Sequence, residues 1–139
     1  SNEQRQMSVE EATKALKIEL TVVSAKTASF SSGVNVVDEL LAVGASACIA
    51  FDDVLAQGIC QGLEGRHVTV PRDFSVIGCD DILGFPQLTT VTSPSLSAGR
   101  KSVEMLACSI LSDLSSNTRL VLDTNLLLRN SSGPPKIKY

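Results

Sequence analysis

Two pairs of adjacent aspartates, each at the end of a short apolar run, constrain the fold of this chain more than any other feature. The runs are ACIAFDD, residues 47–53, and SVIGCDD, residues 75–81. Each is too short for a helix and is typical of a buried parallel strand whose carboxyl end emerges into solvent. Open α/β sheets bind ligands at that edge. The pattern therefore predicts a ligand crevice lined by Asp52, Asp53, Asp80 and Asp81.

Helices and strands are predicted to alternate along the rest of the chain. Apolar spacing predicts helices over residues 3–16, 54–63 and 96–114, and one more that begins at an N-cap of Ser31 or Ser32 and ends at Gly44. Further strands are predicted over residues 19–24 and 88–91, with two short ones within 119–130. This alternation is typical of an α/β fold with a parallel, doubly wound sheet.

Composition and charge limit the possible partners. The 139 residues are 43% hydrophobic, enough for one packed domain. The 15 acidic and 12 basic side chains give a net charge of -3, which offers no electrostatic footprint for nucleic acid or an anionic membrane. No apolar stretch reaches the ~18 residues of a transmembrane helix, and no signal-peptide core is seen. We therefore expect a cytoplasmic protein.

The aspartate pairs admit four interpretations. Asp52 can cap the helix that follows it, while the second pair lies in a solvated turn. Clustered carboxylates also bind Mg²⁺, as in receiver domains, but no lysine follows an apolar strand as those domains require. Acid–base catalysis needs a carboxyl group with a raised pKa, and nothing in the sequence indicates one. The fourth is hydroxyl recognition, since an ionised carboxylate accepts strong hydrogen bonds from the vicinal hydroxyls of a sugar or nucleoside.

Other chemistry-bearing residues indicate no enzyme. The four cysteines lack C-x-x-C spacing, which favours reduced thiols over zinc or redox chemistry. The single histidine, His67, lies in a loop beside Arg66 and is predicted to be solvated. No triad order, phosphate-binding loop or metal-ligand spacing occurs. We expect no catalytic residue, no metal and no cofactor; capping aspartates and a small-molecule sensor both remain open.

Several linked motifs together resemble one known family. FDDVLAQG, VPRDFSVIGCDD, LTTV, SLSAGRKSVEML and LLLRNSSGPP follow one another in the order and spacing of the effector-binding core of LacI/GalR-family repressors. The start of the chain, SNEQRQMSV, is similar to the family's Ser-x-x-x-Arg-x-x-Gly-Phe stretch. The resemblance implies one three-layer parallel-sheet lobe of a periplasmic-binding-protein-like (type I) fold, truncated at its amino-terminal side. The effector would lie in the cleft between two such lobes.

The resemblance also implies which residues bind the effector. The implied contacts are Arg5, Asp52, Asp80, Ser1 and Ser95. Asp53 and Asp81 are implied to cap helices or brace loops instead. The family usually has Asn where this chain has Asp52, and the extra negative charge favours a basic or amine-bearing effector over a plain neutral sugar.

The resemblance further implies that residues 1–139 are the carboxyl-terminal part of an effector-binding domain in a longer protein. A helix-turn-helix and a first lobe would precede it, the 95–118 helix would belong to or contact that lobe, and residues 130–139 would form a flexible tail. The expected function is effector sensing and dimerisation in a transcriptional repressor. Its partners would be a small sugar-like effector, a second copy or a higher oligomer, and DNA only through the missing domain, with no membrane. A transport-associated periplasmic sugar-binding protein is the alternative.

Overall fold

A computed structural model of the chain describes residues 2–82, 84–112 and 119–135. Four helices and four strands follow one another as α1 (Asn2–Leu16), α2 (Phe30–Ala42), β1 (Ala47–Ile49), α3 (Asp53–Glu64), β2 (Ser75–Asp80), β3 (Thr89–Thr92), α4 (Ser95–Ser112) and β4 (Leu126–Leu127). The alternation confirms the predicted α/β class. Both apolar runs that end in aspartates form strands, as does the β-branched LTTV stretch.

The described strands form one sheet in the order β1-β2-β3-β4. β1, β2 and β3 are parallel, whereas β4 pairs antiparallel with β3. Ile49 pairs with Ile77 near the end of β1, and Asp80 pairs with Thr92 at the end of β2. Because β1 and β2 are parallel neighbours, both aspartate pairs emerge at the same edge of the sheet, as predicted.

The core lies where α2 and α3 pack together over the sheet. Its largest fully buried apolar side chains are Phe74, Leu63, Val37 and Val76. The two helix backbones approach each other closely, since a Cβ atom added at Gly58 on α3 would overlap the carbonyl of Phe30 on α2. The pairing of these helices, and hence the position of the amino-terminal end of α3, depends on that close contact.

Three details of the predicted secondary structure are wrong. Residues 19–24 form no strand, because a strand requires a paired neighbour and this extended segment has no ladder bonds to one. Only one strand, β4, lies within the described part of 119–130. The N-cap of α2 is Ser29 rather than Ser31 or Ser32; its side chain accepts a hydrogen bond from the backbone N–H of Ser32 at 3.3 Å.

The start of the tail packs against the sheet. Ser131 is buried; its hydroxyl donates to the carbonyl of Val76 at 2.6 Å and accepts from the backbone N–H of Thr89 at 2.7 Å. The hydroxyl of Ser131 thus joins two strands, and the flexibility expected of residues 130–139 stays a prediction. Residues 136–139 lie outside the described residues.

Helix α4 leaves its apolar stripe in solvent. Four apolar side chains that share one face of this helix, Val103, Leu106, Ile110 and Leu111, are 62–86% exposed. Residues 113–118, which the sequence analysis assigned to the end of this helix, lie outside the described residues. A helix with an uncovered apolar face of this kind is typical of a surface that another segment or another chain covers.

The close contact between α2 and α3 predicts that Gly58→Ala destabilises the fold. The new methyl group must displace the Phe30 carbonyl, and such overpacking costs about 1–3 kcal/mol of unfolding free energy. Gly99→Ala on α4 is the matched control, because nothing lies within 4 Å of its Cβ position and alanine should add about 0.5–1 kcal/mol of stability there. Urea denaturation of both variants measures the difference. Equal effects at the two glycines would contradict the close contact.

Candidate functional site

The four aspartates share the carboxyl edge of β1 and β2 but have different environments. We call Asp52, Asp53, Asp80 and Asp81 the carboxylate edge. Asp52 and Asp53 follow β1 at the start of α3, whereas Asp80 ends β2 and Asp81 begins the loop to β3. Asp53 is 1% exposed, while the other three are partly exposed.

Asp52 combines a structural bond with a free acceptor. It is the N-cap of α3, with an extended backbone and a side chain whose Oδ1 accepts from the Leu55 backbone N–H at 2.7 Å. This confirms the predicted capping role. Its second carboxylate oxygen has no partner among the described residues, so it can accept a bond from a ligand.

Asp53 is a buried brace and not a ligand-facing group. Its Oδ1 accepts from the Thr90 hydroxyl at 2.6 Å, and its Oδ2 accepts from the Ile82 backbone N–H at 2.7 Å. The carboxylate sits against Gly78 of β2, where a Cβ atom would overlap Oδ1. The bracing role predicted for this residue is confirmed.

Asp80 and Asp81 form a turn with unusual backbone geometry. Their φ angles are +103° and +54°, a region that side-chain-bearing residues rarely adopt and that asparagine and aspartate tolerate best. The Asp81 carboxylate accepts from the Arg129 guanidinium at 2.7 Å, and its backbone N–H donates to the Thr90 hydroxyl at 3.4 Å. Asp81 therefore braces this loop, as predicted, and leaves the Asp80 side chain at the open edge.

Arg5 extends from α1 to the carboxylate edge. Its guanidinium donates to the carbonyl of Phe51 at 3.0 Å and lies 5.2 Å from the centroid of the Phe51 ring. A second guanidinium nitrogen is 4.0 Å from Asp80 Oδ1. The structure thus brings together Arg5 and Asp80, two of the residues that the sequence predicted.

The two predicted serines are not part of this cluster as described. Ser95 is the exposed first residue of α4, and its hydroxyl donates to the Ser93 carbonyl at 3.1 Å. Ser1 lies outside the described residues. Neither serine has a described bond to an aspartate of the carboxylate edge.

Three residues that shape this edge were not expected from the sequence: Phe51, Thr90 and Arg129. Only Thr90 could have been suspected from the sequence, because a hydroxyl in a short buried strand needs a hydrogen-bond partner. Arg129 comes directly after an apolar run, and this local pattern does not indicate a contact with the distant Asp81. Phe51 read as a strand residue, and its contact with Arg5 depends on tertiary structure alone.

The metal-ligating residue types form no cluster in the described part of the chain, and its cysteines are unpaired. Within residues 2–82, 84–112 and 119–135, no three His, Cys, Asp or Glu side chains are grouped so that they could hold a metal ion. All four cysteines are free. Burial raises the pKa of Cys48 to about 12 and that of Cys60 to about 11, so both thiols are protonated at neutral pH. No described helix is long and apolar enough to cross a bilayer.

Two hollows are found on the described surface, and neither includes the carboxylate edge. They have volumes of about 430 and 290 Å³, one between α1 and the segment that follows it and one along the first turns of α4. Neither is lined by any of the four aspartates.

Comparison with known proteins identifies the family. Residues 1–132 match the periplasmic binding protein-like domain family, and the chain belongs to it. The transcriptional regulator CelR of Thermobifida fusca is 32% identical over 117 residues, which are 80% of this chain and 34% of that protein. Other curated relatives of this chain include further transcriptional regulators and ribose operon repressors. The chain thus resembles the corresponding region of LacI-family regulators in sequence and fold, as the motifs predicted.

Solved structures show the same fold. A LacI-family regulator from Enterococcus faecium with bound ribose is 27% identical, with a TM-score of 0.88 over 97% of this chain and 53% of that chain. A regulator from Arthrobacter sp. FB24 in complex with lactose is 26% identical, with a TM-score of 0.82 over 91% of this chain and 50% of that chain. The chain spans about a third of the length of its curated relatives and about half of these solved chains.

The two roles of Asp52 can be separated by substitution. Asp52→Ala removes the cap of α3 and should lower the free energy of unfolding by about 1 kcal/mol. Asp52→Asn should leave stability nearly unchanged, because asparagine caps helices as well as aspartate does. Urea denaturation measures both. An Asn variant as unstable as the Ala variant would contradict the capping role.

Proposed function

We propose that this chain is the effector-sensing and dimerisation region of a LacI-type transcriptional regulator. It binds a small polar ligand, a sugar, nucleoside or related molecule, at the carboxylate edge, and this binding modulates the affinity of the whole protein for DNA. The single observation that carries the proposal is the placement of the Asp52 and Asp80 carboxylates at neighbouring strand ends, with the Arg5 guanidinium 4.0 Å from Asp80.

The proposal rests on the donor and acceptor chemistry of the edge. Asp52 and Asp80 offer acceptors only, so they suit a ligand that presents several hydroxyl or amino donors. Arg5 offers donors only and suits the ring or hydroxyl oxygens of the same ligand. Related regulators are known in complex with ribose and with lactose, which have this pattern of groups. Ser1 and Ser95 are proposed as further hydroxyl contacts.

The charge of the edge favours a ligand with a cationic group. The Asp81 carboxylate is paired with Arg129 and the Asp53 carboxylate is buried. Asp52, Asp80 and Arg5 then leave one net negative charge toward the ligand. An amine-bearing sugar or nucleoside complements that charge, whereas a neutral sugar relies on hydrogen bonds alone.

The matched relatives favour regulation over the alternative functions. Those reported above are transcriptional regulators, and none is a transport protein. A periplasmic transport role is therefore not proposed, and we assign no catalytic step to the edge. DNA contact is proposed to reside in residues of the whole protein outside this chain, because the chain is acidic overall.

The ligand class is tested by calorimetry on the full-length protein. The probes are D-ribose, lactose, adenosine and D-glucosamine, each titrated at the same pH and salt concentration. We expect at least one probe to bind, and D-glucosamine to lose more affinity than a neutral sugar when Asp52 is changed to Asn. If no probe binds, the proposed small-molecule function is wrong.

Substitution of Asp80 or Arg5 should weaken binding of the probe identified in this way. Asp80→Ala and Arg5→Ala each remove a charge-assisted hydrogen bond worth ~1.5–3 kcal/mol, which is roughly ten- to a hundredfold in affinity. The controls are Glu64→Ala and Arg72→Ala, exposed charges at the end of α3 and in the loop before β2. Unchanged affinity in both Asp80→Ala and Arg5→Ala would contradict the site.

Self-association is the second part of the proposal. The apolar stripe of α4 is exposed, and patches of that kind promote association in water. We expect residues 1–139 to form a homodimer or a higher oligomer at micromolar concentration. Multi-angle light scattering measures the mass, and the double variant Leu106→Ser, Ile110→Ser should shift it toward the monomer. A stable, well-folded wild-type monomer would contradict this part.

A further inference from the structure

We propose that Thr90, Asp53 and Arg129 are positioning residues that hold the Asp80–Asp81 turn in its positive-φ conformation and so aim the Asp80 carboxylate at the ligand. This inference rests on the proposed function, since it explains how the same site keeps its geometry. It adds roles for three side chains that do not themselves face the ligand.

The turn is the feature that needs an explanation. Two consecutive residues with side chains, the last of β2 and the one after it, have φ angles of +103° and +54°. Residues in such conformations persist only when the surrounding structure holds them, and they concentrate at ligand sites. If φ of Asp80 relaxed to a negative value, its Cα–Cβ bond would rotate and its carboxylate would leave the edge.

The Thr90 hydroxyl links the turn to the buried carboxylate. It donates its only proton to Asp53 Oδ1 at 2.6 Å, and its oxygen accepts from the backbone N–H of Asp81 at 3.4 Å. Thr90 is fully buried, so water cannot replace either bond. The direction of the first bond fixes the oxygen lone pairs that serve the second.

Asp53 and Arg129 hold the turn from two further directions. Asp53 Oδ2 accepts from the backbone N–H of Ile82 at 2.7 Å, directly after the turn. Arg129 donates to the Asp81 carboxylate at 2.7 Å and to the Leu88 carbonyl at 3.0 Å, which ties the turn to the start of β3. Both sides of the turn are therefore fixed to neighbouring parts of the sheet.

Gly78 shows that this arrangement is built into β2. A side chain at that position would overlap Asp53 Oδ1, so only glycine lets the carboxylate lie against the strand and reach Thr90. A buried carboxylate with two bonds is costly to place unless those bonds are well formed. Its presence at 1% exposure, beside a turn of unusual backbone geometry, is the observation that carries the proposal.

The expected consequence is a change in affinity through the population of the competent turn. If a variant holds the turn only a tenth of the time, the measured dissociation constant rises about tenfold without loss of any ligand contact. Thr90→Val removes the linking hydroxyl at constant shape, and Arg129→Gln removes the outer anchor at the partly exposed side. Thr90→Ser keeps the hydroxyl and should retain wild-type affinity.

Ser131→Ala is the matched control. Ser131 is also buried, and its hydroxyl also makes two bonds that join β2 to β3, but these go to the Val76 carbonyl near the start of β2 and to the Thr89 backbone N–H, and neither reaches the turn after β2. Loss of that hydroxyl should lower the melting temperature about as much as Thr90→Val does while leaving affinity unchanged. The comparison separates a positioning role from general destabilisation.

The experiment is calorimetry on the full-length protein with D-glucosamine or D-ribose, whichever binds, together with crystal structures of the unliganded variants. We expect about tenfold weaker binding for Thr90→Val and Arg129→Gln, and a negative φ at Asp80 or Asp81. Wild-type affinity in a folded Arg129→Gln variant would overturn the proposal. An equal loss of affinity in Ser131→Ala would overturn it too. If Thr90→Val does not fold, the affinity of Arg129→Gln alone decides. If neither sugar binds the wild type, the proposed function fails, and the φ angles decide the positioning role: unchanged values overturn it, and changed values support it.

Discussion

The bonds of one buried carboxylate, that of Asp53, connect the start of α3, the end of β2 and the middle of β3. Because it is 1% exposed, it must receive its hydrogen bonds from the protein, and it receives them from Thr90 and from the backbone of Ile82. Glycine at position 78 makes the approach possible. The relative positions of the two strand ends that carry Asp52 and Asp80 depend on this arrangement.

In both aspartate pairs, the two carboxylates have different roles. In each pair one carboxylate serves the fold, Asp53 in the interior and Asp81 with Arg129, while its neighbour stays at the open edge. Asp52 contributes to both, because one oxygen caps α3 and the other is free among the described residues. This arrangement follows from the parallel sheet, because the carboxyl ends of neighbouring parallel strands lie at the same edge.

Much of this could be predicted from local sequence, and the rest depended on contacts between distant segments. The strands ending in Asp-Asp, the cap at Asp52 and the shared edge follow from period, length and strand polarity. The strand predicted over residues 19–24 does not form, because a β-rich segment becomes a strand only when a neighbouring strand pairs with it. The pairing of Arg129 with Asp81 joins residues 48 positions apart, and the contact of Arg5 with Phe51 joins residues 46 apart, so no local pattern could reveal either. The family resemblance came from several motifs in order, whereas the apolar spacing of single segments predicted only helices and strands.

The most direct measurement is a crystal structure of the full-length protein with its effector bound. We expect ligand hydroxyl or amino groups within hydrogen-bond distance of the Asp52 and Asp80 carboxylates and of the Arg5 guanidinium. Asp53 should keep its bonds to Thr90 and Ile82 and should not touch the ligand. An effector bound away from the carboxylate edge, or one bonded to Asp53, would contradict the account.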